Sequence, residues 1–333
     1  MSIAGWMVLA RRNTPMGYKL SLMVISRFAT TGIGLGILFV SACAKDAPRK
    51  TSTPTIDSAS GAAVAHTLAR NTGWDAQTAG TFVVLSLADD MIDAALVLPE
   101  ETDSTLAQTT IADPTPFANT SVDLFGTGGL SGTSTLAVNS QQPPAEGCLV
   151  WPSVRLISKP GKEWRVGLIA GKATALPIHP VEAMGGSDSS RSVIELTRLA
   201  SEVSMKHGDP AFQGLPFTVR KAYQMSLGDT LVLIGSAVRK INEEANPREE
   251  HLLLVAERIG QAPKYLISFQ NRSAGSEDAI RTNAVLAAVR FKRTNQAAFI
   301  LSFEYDDGGE IALLERMAPH DWKISWRSAY TGC

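Results

Sequence analysis

Only three cysteines, Cys43, Cys148 and Cys333, and five histidines occur in the 333 residues. The cysteines lack the Cys-x-x-Cys spacing of a redox centre, and His66, His179, His207, His251 and His320 are scattered, with no His-Glu-x-x-His to hold zinc. Each histidine is expected in a surface or capping position. A nucleophile elbow is missing too: Gly129-Leu130-Ser131-Gly132 has the wrong spacing and sits in an apparent hairpin turn. The glycine-rich stretch Gly126 to Gly132 lacks the Lys and Ser/Thr of a phosphate loop and precedes a strand, so its glycines read as turn positions. Asp89, Asp90 and Asp93, or Asp306-Asp307-Gly308, only partly suggest the alternating oxygen ligands of a calcium loop. Glu243-Glu244 and Glu249-Glu250 flank Asn246-Pro247 and read as solvated loop acids. No catalytic, cofactor-binding or metal-binding residue is assigned, and no cofactor is expected.

Acidic side chains are absent from the first 43 residues, which carry Arg11, Arg12, Lys19 and Arg27. The apolar run from Phe28 to Val40 follows; it is too short and too broken by glycine for a membrane span, which needs about 20 apolar residues. A basic region followed by such a run has the pattern of a secretory signal peptide. The basic region is long, and Met16 or Met23 offers a start of more usual length. Val40-Ser41-Ala42-Cys43 then resembles the lipobox of bacterial lipoproteins, an aliphatic residue and two small ones before the cysteine that receives the lipid. The resemblance covers the signal alone. It implies cleavage before Cys43, a lipid anchor on that thiol, and a location in the cell envelope, since several acyl chains anchor stably where one does not. Ala44-Lys45-Asp46 places no acid directly after the cysteine, which by the same analogy favours the outer membrane, with the folded part facing the periplasm or the exterior. The alternative is an uncleaved helix with a buried cysteine.

Export would leave two cysteines in an oxidising compartment, where Cys148 and Cys333 are most simply read as one disulfide and otherwise as two free thiols. Without the signal the balance is 27 basic against 32 acidic residues, about −5, so nucleic acid is not an expected partner. The imbalance is uneven: residues 54–147 hold eleven acids and only Arg70, whereas residues 148–333 hold 20 acidic and 23 basic side chains. The acidic half reads as a solvated, loop-rich segment, or else as one that docks onto the basic half or gathers cations.

The chain then divides into a signal peptide at 1–42, a flexible tether at 43–60, an acidic, loop-rich region at 61–147 with one or two hairpins, and an antiparallel β domain at 148–333. Within the acidic region, Val122–Phe125 and Thr133–Val138 read as a hairpin across the glycine-rich turn. Ten further strands are expected between 149 and 330, separated by turns such as Lys159-Pro160-Gly161-Lys162. In the last, Trp322, Ile324, Trp326, Ser328 and Tyr330 alternate with Lys323, Ser325 and Arg327, which places them on one face. One helix is expected at about 191–206, with an apolar stripe of Val193, Leu196, Ala200 and Val203, a capping box from Ser192 and Glu195, and an end at Gly208 and Pro210. The fold class is therefore mainly β (α+β), an antiparallel sheet or barrel-like domain with one covering helix. Faint echoes among Trp164–Leu168, Val255–Phe269 and Leu313–Trp326 leave β-propeller-like repeats as the alternative.

Three functions fit this pattern. The first is a lipid-anchored, non-enzymatic envelope protein that binds a protein or glycan or serves a structural role. The others are an envelope hydrolase with a site assembled from distant loops, and a carrier of a small apolar ligand.

Overall fold

A computed structural model describes residues 82–85, 91–97, 100, 114–138, 150–242, 247–276, 279–305 and 308–332. Cys43, Cys148 and Cys333, and with them the signal peptide, the tether and the expected disulfide, lie outside these residues.

The first six strands are β1 (Phe82–Leu85), β2 (Asp93–Val97), β3 (Ser121–Gly126), β4 (Gly129–Val138), β5 (Ser153–Leu156) and β6 (Val166–Ile169). They close into an antiparallel barrel in the order β1-β2-β5-β4-β3-β6, sealed where Val83 and Val84 pair with Gly167 and Val166. Alternate residues point inward, and the interior is occupied by Leu96, Val122, Leu124, Leu136, Val154, Leu156 and Trp164. The Trp164 indole, fully buried, donates to the Met91 carbonyl at 2.9 Å, which satisfies its one polar atom. The barrel takes strands from both sides of residue 147, so the acidic stretch and the start of the basic half fold together.

Two further antiparallel sheets follow. A middle sheet has the order β16-β15-β14-β13-β7, from β7 (Ala173–Ala175), β13 (Thr282–Phe291), β14 (Ala297–Tyr305), β15 (Gly308–Ala318) and β16 (Asp321–Arg327), with β17 (Thr331–Gly332) paired to the start of β15. An outer sheet has the order β12-β11-β10-β9-β8, from β8 (His179–Pro180), β9 (Thr218–Leu227), β10 (Thr230–Ile241), β11 (Arg248–Ile259) and β12 (Leu266–Ser276).

These pieces stack as four layers: barrel, middle sheet, outer sheet, and the helix α1 (Gly186–His207). A continuous apolar run such as Ala297 to Leu301 is explained by this stacking, because a strand buried on both faces has no polar side to alternate with. In β14, Ala298 and Ile300 pack toward Phe125, Val166 and Leu168 of the barrel, while Ala297, Phe299, Leu301 and Phe303 pack toward Val232, Ile234, Leu253 and Val255 of the outer sheet. In β11, Leu252, Leu254 and Ala256 face the helix instead. Sheets stacked face to face around a shared core are not the radial blades of a propeller, and that alternative is set aside.

Three local expectations need correction. The helix begins at Gly186 rather than near 191, with Gly185 at its N-cap, so Ser192 and Glu195 lie inside the helix and form no capping box. Its buried stripe is Leu196, Leu199, Ala200 and Val203, whereas Val193 is 37% exposed. In β16 the register slips between the pairs Leu313–Trp326 and Leu314–Ile324, leaving Ser325 as a bulge. Trp322 and Ile324 therefore face the outer sheet, while Trp326 crosses to the barrel side of the middle sheet.

Gly235 of β10 marks the closest approach of helix to sheet. A Cβ there would lie 2.6 Å from Leu196 Cδ1, inside contact distance, so the absence of a side chain lets Leu196 seat directly on the strand.

Candidate functional site

The barrel and both sheets meet at a cavity of about 540 Å³, within the size range of small-molecule sites. Its rim is the β3–β4 turn, Gly126 to Gly128, held over the segment before β6: Ser131 Oγ donates to the Glu163 carbonyl at 2.6 Å, and a Cβ on Gly126 would stand 3.3 Å from that same carbonyl. The glycines thus permit a close crossing of two backbones. Opposite stand Lys221 and Tyr223 of β9, with Val285, Leu286 and Glu304 of the middle sheet below.

Charge in this cavity is unevenly spent. Arg165 is paired with Glu163, and Glu304 accepts from Ser302 at 3.0 Å, while Lys162 and Lys221 have no ion-pair partner among the described residues. Burial pushes the Tyr223 phenol above its ordinary value, so it stays a neutral hydroxyl at physiological pH. Two free ammonium groups and a neutral hydroxyl, over a floor of Val285 and Leu286 edged by Glu304, can receive a polar or acidic group. They hold no nucleophile beside a base.

Three buried carboxylates of β11, Glu249, Glu250 and Glu257, are committed elsewhere. Glu257 of β11, fully buried, accepts from Arg316 Nε and Nη2 at 2.6 and 3.0 Å, Trp322 Nε1 at 2.7 Å and the His320 backbone N–H at 2.8 Å. Burial alone would raise its pKa; the hydrogen bonds from Arg316, His320 and Trp322 outweigh that and hold it below the ordinary carboxylate value. This cluster ties the outer sheet to the β15–β16 turn of the middle sheet. Glu250 receives Arg239 and Arg272, each by its Nε at 2.6 Å, with the Arg239 guanidinium 4.6 Å from the Phe217 ring centre. Glu249 bonds Lys240 and His251, so Glu249 and Glu250, which read as solvated loop acids from the sequence, are buried on β11 against cationic and imidazole partners.

The other residues singled out from the sequence are dispersed. His179 is exposed on β8 and His251 is taken by Glu249. The Nδ1 of His320 stands 3.8 Å from Glu257, and Asp93 pairs with Arg155. His66, Asp89, Asp90, Glu243, Glu244, Asp306 and Asp307 lie outside the described residues. Among the described residues no three His, Cys, Asp or Glu side chains converge as a metal site, and no helix is long and apolar enough to cross a membrane. Lys162, Lys221 and Tyr223 carried no sequence signal, because the segments that bear them are about sixty residues apart and meet only through the stacking of layers.

The fold and its cavities define a class, a layered antiparallel β protein with one covering helix. No protein family, no curated protein and no solved structure matches the chain.

Proposed function

We propose that this is an exported lipoprotein of the cell envelope, anchored through a lipid on Cys43 to the outer membrane, whose folded part binds a protein or glycan and catalyses nothing. The observation that carries the anchor is the order of the N-terminal sequence: four basic residues without an acid, an apolar run, then Val40-Ser41-Ala42-Cys43. Two features support this reading, the first over a hydrolase and the second over an apolar-ligand carrier. The buried acids Glu249, Glu250 and Glu257 are engaged by structural partners, and the barrel interior is occupied by side chains, which leaves no room there for the cargo of an apolar-ligand carrier. The cavity at the junction of the three sheets, with Lys162 and Lys221 unpaired, is the surface we assign to an acidic partner group.

The test is the anchor. Full-length protein made in a bacterial host should be cut before Cys43, labelled by fatty acid and extracted into detergent with the membranes. Cys43→Ser should accumulate as an unlabelled precursor that stays out of the detergent phase. Unchanged processing and partitioning would overturn the lipoprotein reading. The same preparation tests the Cys148–Cys333 bridge, since the oxidised mature chain should weigh two hydrogens less than the reduced one.

A further inference from the structure

Beneath the N-terminal half of α1, on the helix-facing side of the outer sheet, lies a second cavity of about 310 Å³. Arg258 and Leu231, paired across β11 and β10, line it from the sheet, Tyr265 and Gln224 flank it, and Ser192 and Glu195 line it from the helix. Arg258 is out of keeping with the arginines around it. Arg198, Arg239, Arg272 and Arg316 each hold a glutamate, as partly buried guanidinium groups normally must. Arg258 has no carboxylate within ion-pair distance among the described residues, and its Nε–H is buried without an acceptor. Its guanidinium carbon lies 5.1 Å from the centre of the Tyr265 ring, which holds the group in place without neutralising it.

An orphaned buried donor calls for an explanation, and a charged one is costly to leave unmade. We propose that this crevice binds a small organic monocarboxylate, with the carboxylate on Arg258 and an apolar body against Met184, Leu231 and Pro263. A planar guanidinium fork matches a carboxylate in geometry and charge, and the volume sits at the lower end of small-molecule sites. The two acids of the wall do not claim Arg258. Glu195 accepts from Arg198 at 2.6 and 3.0 Å and from the Tyr265 backbone N–H at 3.3 Å, and Asp188 pairs with Arg191 at 3.7 Å. With Asp188 offset by Arg191 on the same wall and Glu195 by Arg198, the one charge left over is that of Arg258, which matches a single negative charge better than a dianion such as phosphate. The Ser192 hydroxyl, without a hydrogen-bond partner among the described residues, is a further donor to the same group. This site is independent of the lipid anchor and of the junction cavity.

The experiment is a titration of the full chain with benzoate, butyrate and inorganic phosphate, followed through arginine Nε–H resonances and thermal melting. Benzoate and butyrate should shift one arginine Nε–H and raise the melting temperature, with phosphate weaker. Arg258→Gln should remove that resonance and weaken benzoate about tenfold or more, the weight of one charge-assisted hydrogen bond. Leu231→Trp, which fills the crevice while keeping Arg258, should abolish binding and serves if Arg258→Gln does not fold. Carboxylates that move no arginine resonance, or that bind both variants as well as the parent, would overturn the proposal, as would phosphate binding more tightly than benzoate.

Discussion

On the face it turns to the middle sheet, the outer sheet presents Val232, Ile234, Leu253 and Val255, and the charged groups at its ends, Glu249 and Glu257, are saturated by Lys240, His251, Arg316 and Trp322. On the face it turns to α1, Leu233, Leu252, Leu254 and Ala256 meet the apolar stripe of the helix, with Glu250 bound by two arginines at one end and Arg258 unpaired at the other. The difference lies in what covers each face. Where a second sheet is packed against the strands, the polar groups under it need partners within the protein. A single helix covers only a stripe, and beside that stripe a crevice can stay open to a ligand. The sheet-facing side of the outer sheet opens toward the junction cavity at Lys221 and Tyr223, whereas its helix-facing side leaves a crevice beside the helix.

The sharpest way to break this comparison is Glu257→Ala. Removing the acceptor strands the Arg316 guanidinium, the Trp322 indole and the His320 N–H, and should cost about 3–5 kcal/mol in urea unfolding. A loss below about 1 kcal/mol, the scale of exposed pairs, would mean that the sheet-to-sheet face does not depend on this cluster.

Acid should act on the same group. Because the folded Glu257 sits below the ordinary value of 4.5, its contribution is complete above that pH and is lost as pH falls through the lower, folded value. The parent should therefore lose stability on acidification. Glu257→Gln should be weaker at neutral pH and show a shallower acid slope, and equal slopes in the two proteins would move the acid-sensitive group elsewhere.

The helix side is probed by Gly235→Val. The new side chain collides with Leu196 and should cost about 1–3 kcal/mol, read as a lowered melting temperature. A neutral result would place the helix farther from β10 than described. The smallest effect is expected at Lys323→Ala, whose ion pair with Asp321 is exposed, with 66% of the lysine side chain accessible; it should change stability by about 0.5 kcal/mol or less.

Much of the fold was legible in the sequence because turns and strand composition act locally. Lys159 to Lys162 and the glycines after Phe125 each sit where a bend or hairpin turn falls, and β5, β6 and the long strands β9 to β16 account for the ten strands expected between 149 and 330. The helix was legible through Leu196, Ala200 and Val203, but its first turn was not: Gly185 at the N-cap carries no side-chain signal, and Ser192 with Glu195 mimics a capping box three residues apart. The face of Trp326 was illegible for a different reason, since the bulge at Ser325 that turns it toward the barrel depends on the pairing with β15.

By itself the sequence determined that this chain makes antiparallel strands with one amphipathic helix, and the lipobox-like order Val40-Ser41-Ala42-Cys43 is all that the proposed anchor rests on, because alternation, turn residues and such motifs are properties of neighbours along the chain. The tertiary structure alone decided which strands close into a barrel and which stack as sheets. It also decided that Glu257 meets Arg316, 59 positions away, and that Arg258 meets no acid among the described residues. Those outcomes rest on which faces are buried against which, and burial across such distances leaves no local pattern to read.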